Sequence, residues 1–333
     1  MKTTVIAEAG VNHNANLEIA YQLVDAALEA GADVVKFQTA IPEYVVTNQG
    51  MMANYQIKNM GLKVSQLEMT RKIHLPLEDF DRISQYCIER NILFATTAFD
   101  MVSLDYISKI PMPFMKIPSG EITNLPYIRR IGELGMPVLV STGMSTLEES
   151  VYALDILVKA GLEKSKITFM HCTSTYPAPF SDLNLLAMQT MAASLKIGVG
   201  YSDHSTGIEV PIAAVALGAA VIEKHITLDK TMIGPDHAAS IEPSEFKAMV
   251  TSIRNIEQAL GSDVKQPSPS EVENILVARR SIVAKSKIKK GEIFTEKNLI
   301  CKRPATGLSP RLWDDIVGKV AHRDYAADDL IEE

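Results

Sequence analysis

Eight short runs of apolar and β-branched residues recur along the chain. They are TVIAEAG from Thr4, DVVKFQT from Asp33, LFATTAF from Leu93, FMKIPSG from Phe114, PVLVSTG from Pro137, ITFMHC from Ile167, KIGVGYSDH from Lys196 and AVIEKHIT from Ala220. Most are continuous rather than strictly alternating, as expected of strands covered by helices. Helical periodicity fills the gaps. LEIAYQLVDAALEAG puts Ile19, Leu23, Ala26, Ala27 and Ala30 on one face, with Asn16 as N-cap and Gly31 as stop. Ser145 and Glu148 read as a capping box ahead of LEESVYALDILVKAG, and Asn124 followed by Pro126 marks a further helix start. Eight β-then-α units predict an α/β fold, a closed (β/α)8 TIM barrel. An open doubly wound sheet is the other arrangement that holds eight strands.

Two stretches depart from this rhythm. Residues 41–75 are polar, Met-rich and far longer than an ordinary βα loop, so they read either as a lid over the ligand face or as a disordered insertion. The amphipathic SEFKAMVTSIRNIEQALG closes at Gly261 and ends the expected catalytic barrel, 1–261. A Pro/Ser linker is expected over 262–277 and a small β-rich module over 278–333, with a KKGE turn and no long helix before SPRLWDDIVGKVA. So small a module has little core, which predicts that it docks on a barrel, its own or a partner's.

Composition narrows the function. At 333 residues with 47% hydrophobic positions the chain has ample core, and a net charge of −7 leaves no broad surface for a polyanion, so no nucleic-acid partner is expected. Cys87, Cys172 and Cys301 are widely spaced with no CxxC, fitting a reducing cytoplasm. MKTTVIAEAG lacks a signal-peptide core and the longest apolar run is too short to span a bilayer, so a soluble cytoplasmic protein without membrane contact is expected.

Polar groups gather at the ends of the eight runs, where barrel enzymes place their catalysts. In order they are Glu8 with Asn12 and His13; Lys36 and Gln38; Thr96 and Thr97; Lys116, Ser119 and Glu121. Ser141 and Thr142 follow, then His171, Thr173 and Tyr176, then Ser202 and His204, and last Glu223 and His225. His204 and His225 at neighbouring strand ends suit one shared metal ion, with Glu223, Asp203 or Asp236 supplying oxygen; alternatively each imidazole only bonds a backbone carbonyl. Two lysines buried in strands call for anionic partners, and with the hydroxyls and the glycine turns at 119–121 and 141–144 they suit a phosphate or carboxylate.

The segments IAEAGVNHN, VVKFQT, KIPSGEITN, VSTGM, HCTSTYPAP, GYSDHS, IEKHITLD and GPDH, in this order, resemble the sialic acid (nonulosonic acid) synthases, and KRPATG resembles the antifreeze-like (SAF) module of that family. The resemblance implies condensation of phosphoenolpyruvate with an open-chain N-acylated hexosamine and water, with C–O cleavage releasing phosphate. It implies a divalent metal, manganese first and magnesium or cobalt next, on His204 and His225. Lys36, Thr97, Lys116, Ser119, Ser141 and Ser202 would hold phosphoenolpyruvate. Glu8, Glu121 and Asp236 would be catalytic, with Glu121 first in line for proton transfer at the attacking water. Gln38, Tyr176, Glu223 and Arg303 would meet the sugar, Arg303 reaching across a domain-swapped homodimer. Ser174 stands where some members carry asparagine, and IGPD replaces PGPD. The first expectation for the sugar is N-acetylmannosamine, giving N-acetylneuraminate. The alternative is 2,4-diacetamido-2,4,6-trideoxymannose, giving N,N'-diacetyllegionaminate, and a pseudaminate synthase comes after both. A metal-dependent aldolase or isomerase and a carbohydrate-binding protein are the readings from other classes.

Overall fold

A computed structural model describes residues 2–61 and 63–332. Every one of the eight runs is a strand: β1 Thr4–Gly10, β2 Val34–Thr39, β3 Leu93–Ala98, β4 Met115–Ile117, β5 Val138–Ser141, β6 Ile167–Cys172, β7 Gly198–Asp203 and β8 Val221–His225. They form one parallel sheet in the order β3-β2-β1-β8-β7-β6-β5-β4, and β3 adjoins β4, so the barrel is nearly closed. An open doubly wound sheet is thereby set aside.

The two faces of each strand have different tasks. Val5, Ala7, Val35, Phe37, Phe94, Val138, Val140, Phe169 and Ile222 face outward and pack with the helices in the main core. Ile6, Val34, Ala95, Phe114, Leu139, Met170 and Val221 face inward and plug the barrel floor. Two residues further along most strands the same inward row turns polar, and this step puts the site at the C-terminal mouth.

Local rules account for most helix ends. Asn16 caps the helix Leu17–Glu29 through its side chain, and Asn124 caps Leu125–Glu133. The capping box before Leu147–Lys159 is Thr146 with Glu149, one residue later than the expected Ser145 with Glu148. Ser145 instead turns its hydroxyl to Gly143 O. At the barrel floor Asp33 accepts hydrogen bonds from Lys2, the Val5 N–H and Arg254, tying the first strand to the closing helix Pro243–Leu260.

The described residues of 41–75 lie on the ligand side. They carry the helices Pro42–Val45, Asn54–Met60 and Gln66–Ile73, joined by a bridge between Met51 and Ser65. Met52, Met69 and Ile73 pack with Val11 as a separate apolar cluster, and Asn59 donates to Pro235 O. Leu62 lies outside the described residues.

The chain divides into two compact units, 1–261 and 262–333. The stretch 262–277, expected as a linker, is part helical, with Val272–Ala278 forming a helix. In the second unit β9 (Ser281–Ala284) pairs antiparallel with β10 (Leu299–Lys302). Contrary to the expectation of little core, Ile282, Ala284, Ile288, Phe294, Leu299, Ile316, Tyr325 and Ile331 bury one another there. The expected long helix near the end is only one turn, Trp313–Ile316. Among the described residues no helix is long and apolar enough to cross a membrane.

Candidate active site

The inward polar row converges on four buried charges. Lys36 Nζ lies 2.7 Å from Glu8 Oε2 and 3.5 Å from Glu223 Oε2, and donates to Thr97 Oγ1 at 2.9 Å. Lys116 Nζ bonds both oxygens of Glu223, at 2.8 and 2.9 Å, and Ser202 Oγ donates to Glu223 Oε1 at 2.9 Å. Gln38 Nε2 donates to Glu8 Oε1 at 3.0 Å. The lysines therefore already have carboxylate partners inside the protein, two charges of each sign. The pocket is not the simply positive one that the lysines alone suggested.

Burial and neighbours set the proton affinities. Burial pushes the Glu223 carboxyl up, but Lys116 and Lys36 outweigh it and hold Glu223 well below the usual carboxylate range. Glu8 is raised by its burial; Lys36 opposes this and the nearby Glu223 charge adds to it. Asp236, also buried, is pushed up to about 7 by desolvation and by the charge of Glu8. A carboxyl in that range can give or take a proton at neutral pH.

The two histidines share the mouth, with ring centroids 5.6 Å apart. Tyr176 stands over both, 4.2 Å from His204 and edge-on to His225 at 5.7 Å. His204 Nδ1 donates to Thr173 O at 2.7 Å, so its Nε2 carries the free lone pair. His225 Nδ1 is buried with no hydrogen-bond partner. Burial lowers the pKa of both rings and keeps them neutral, the form in which imidazole ligates metal. The orphaned nitrogen and the bared Nε2 fit a divalent ion that takes two ligands from the chain. Among the described residues no group of three or more His, Cys, Asp or Glu side chains converges on such a point. Asp203, considered as an oxygen ligand, points to the outer face, where it pairs with the fully buried Lys224 and accepts from Ser205. Glu223, the other strand-end carboxylate, is engaged by both lysines.

The hydroxyl side of the mouth is built by close approach. Gly143 N–H donates to Ser119 Oγ at 3.0 Å, and a Cβ on Gly143 would stand 2.1 Å from Ser174 Oγ and 2.9 Å from Ser119 Oγ. Any larger residue would force one of these hydroxyls or the turn to move. Ser119, Ser141, Ser202, Thr97, Lys36, Lys116, Glu8, Gln38, Tyr176, His204, Glu223 and His225 all line one cavity of about 450 Å³. Asp236 lines an adjoining cavity of about 230 Å³.

Two expected residues stand apart. Glu121 is half-buried in the turn Ser119–Glu121, accepts from Asn124 Nδ2 and is absent from the cavity lining. Arg303 is exposed on the second unit. Sequence reasoning missed Tyr55, which stacks on Tyr176 at 5.2 Å and lines both cavities. It also missed the partnership of Lys224 with Asp203. The alternation Glu223, Lys224, His225 was the available signal, because it sends Lys224 to the opposite face.

The chain is similar to known proteins over its whole length. The NeuB family model matches residues 23–265 and the SAF domain model residues 279–333. The chain is 48% identical to N,N'-diacetyllegionaminic acid synthase of Campylobacter jejuni subsp. jejuni serotype O:2, covering 100% of this chain and 99% of that protein. It is 34% identical to human N-acetylneuraminate-9-phosphate synthase, covering 99% of this chain and 91% of that one. The crystal structure of N-acetylneuraminic acid synthetase from Leptospira borgpetersenii superposes with a TM-score of 0.72 at 33% identity, over 83% of this chain and 90% of that chain. The strand-end residues and these matches together place the chain in the NeuB family of sialic acid (nonulosonic acid) synthases, with a SAF domain at its C-terminus.

Proposed function

We propose that the protein condenses phosphoenolpyruvate with an open-chain N-acylated amino sugar and water, releasing phosphate and a nonulosonic acid. The observation that carries this reading is the convergence of Lys36, Lys116 and the Ser119, Ser141 and Ser202 hydroxyls on one cavity beside two neutral imidazoles. For the sugar, the similarities favour 2,4-diacetamido-2,4,6-trideoxymannose over the N-acetylmannosamine expected first. Two relatives named as N,N'-diacetyllegionaminic acid synthase are 48% and 44% identical, against 34% for the human N-acetylneuraminate-9-phosphate synthase.

In this reading the lysines and hydroxyls orient phosphoenolpyruvate, and Gly143 keeps the hydroxyl side free of carbon. A divalent ion on His204 and His225, manganese first and magnesium or cobalt next, would supply Lewis acidity toward the aldehyde oxygen. Glu8, raised by its surroundings, takes the proton of the water that adds to the enol carbon as the methylene carbon bonds to the aldehyde carbon. Asp236 gives the aldehyde oxygen its proton. The resulting tetrahedral carbon expels phosphate by C–O cleavage as its hydroxyl becomes the keto group, and the hydroxyl proton leaves with the phosphate. Glu121, first in line from the resemblance, faces Asn124 and is the weaker candidate for the water. Arg303 is assigned to the N-acyl group of a sugar in a second copy of the chain, in the cytoplasm.

Phosphate release tests the whole reading. With phosphoenolpyruvate, manganese and each candidate sugar, release should need the amino sugar and be fastest with the diacetamido one. Label in the bridging oxygen of phosphoenolpyruvate should leave with the phosphate. Label retained in the product would overturn C–O cleavage, and sugar-independent release would overturn the synthase reading.

A further inference from the structure

The two cavities at the barrel mouth adjoin through Gln38, Tyr55, Gln66, Phe99, Tyr176 and His225. Their linings differ. The larger is ringed by lysines and hydroxyls, whereas the smaller lies under residues 41–75, with Val11, Val45, Val46, Met69 and Ile73 on one side and Asp236, Tyr176 and His225 on the other. The polar groups on the segment's side are largely spent on their own backbone. Thr70 Oγ1 donates to Gln66 O at 2.8 Å, His74 Nδ1 bonds Thr70 O at 3.1 Å, and Gln56 Oε1 accepts from the Ala53 N–H. The Gln66 side-chain amide, at the junction of the two cavities, makes no hydrogen bond among the described residues.

A sugar whose aldehyde lies beside His225 extends its far end into this smaller cavity. On the side formed by residues 41–75 a terminal hydroxyl would leave water for the side chains of Val46, Met69 and Ile73, an unfavourable exchange, with the Asp236 carboxyl on the opposite side of the cavity. A methyl terminus would instead gain from burial. We infer that the smaller cavity is a 6-deoxy subsite: Val46, Met69 and Ile73 receive the methyl end of the sugar, and the Gln66 amide meets its second acetamido group. This rests on the proposed function, and it assigns the choice of sugar to residues 41–75 rather than to the strand ends.

An apolar pocket of this kind separates substrates differing by one hydroxyl or methylene by about 10- to 100-fold in kcat/KM. The test compares N-acetylmannosamine with its 6-deoxy analogue, which differ by one hydroxyl, in wild type, Val46→Thr and Val46→Ala. Phosphate release is the readout and melting temperature confirms folding. Wild type should prefer the 6-deoxy sugar by about 10- to 100-fold. The ratio should fall about tenfold in Val46→Thr, and in the same direction in Val46→Ala, with the KM for phosphoenolpyruvate unchanged. A wild-type ratio near one, or an unchanged ratio in both variants, overturns the subsite while phosphate release still upholds the synthase. Loss of sugar-dependent release in wild type overturns both together.

Discussion

Lys116 from β4 grips both oxygens of Glu223 from β8 across the barrel mouth, and both residues are buried, 3% and 5% exposed. Removing one partner of such a buried pair strands the other charge at a cost of about 3–5 kcal/mol, whereas replacing both with apolar groups is often close to neutral. Glu223→Leu alone should therefore lower unfolding stability by about 3–5 kcal/mol in urea. The double variant Glu223→Leu with Lys116→Met should recover much of that loss and remain without turnover.

His204→Ala and His225→Ala should each abolish turnover in a barrel whose circular dichroism is unchanged. Calorimetric titration with manganese checks the cause, since binding should disappear along with activity. Normal turnover in either variant would remove the metal assignment.

The approach of Gly143 to Ser119 and Ser174 gives a sharper test of the anion end. Gly143→Ala places a methyl 2.1 Å from Ser174 Oγ, so the turn or that hydroxyl must move. The KM for phosphoenolpyruvate should rise at least about tenfold with the sugar KM little changed, if one charge-assisted contact is lost. Steady-state kinetics with each substrate varied in turn decides it.

Asp33 predicts an acid dependence of stability remote from the chemistry. Burial pushes its carboxyl up, but the hydrogen bonds from Lys2, the Val5 N–H and Arg254 outweigh that and hold it below the ordinary range. A depressed carboxyl stabilises the fold above its unfolded pKa of about 3.9 and loses that contribution as pH falls through the folded value. Asp33→Asn should melt earlier than wild type at pH 7, and the gap should close as pH falls below about 4. A gap independent of pH would show that the carboxylate charge at Asp33 contributes nothing.

Much of this architecture was legible because the strands are short, apolar and bounded by turn residues. All eight runs from Thr4 to His225 became strands, and Asn16 and Asn124 cap the helices they were expected to cap. Thr146 took the capping role from Ser145 because both fit the same local rule one residue apart, and only the path of the preceding turn decides between them. The lysines of β2 and β4 were legible as buried ions in need of partners. That those partners are Glu8 and Glu223 was not, because it depends on which inward positions share a level around the barrel. Val46, Met69 and Tyr55 were hidden for a different reason: no periodicity ties residues 41–75 to the strand ends they cover.

β8 carries Glu223 and His225 toward the mouth and Lys224 to the opposite face, where it meets Asp203. Side chains along a strand alternate with a period of two, so a slip of one position would thrust the ammonium into the reaction chamber and drive a carboxylate and an imidazole among the helices. Each misplaced group would lack its counter-charge, and no neighbouring frame offers a substitute. The ionised rows on the two sides of this strand thus act as a combination lock on its alignment. A chain that assembles its catalytic groups has, by the same act, rejected its nearest misfolded competitor.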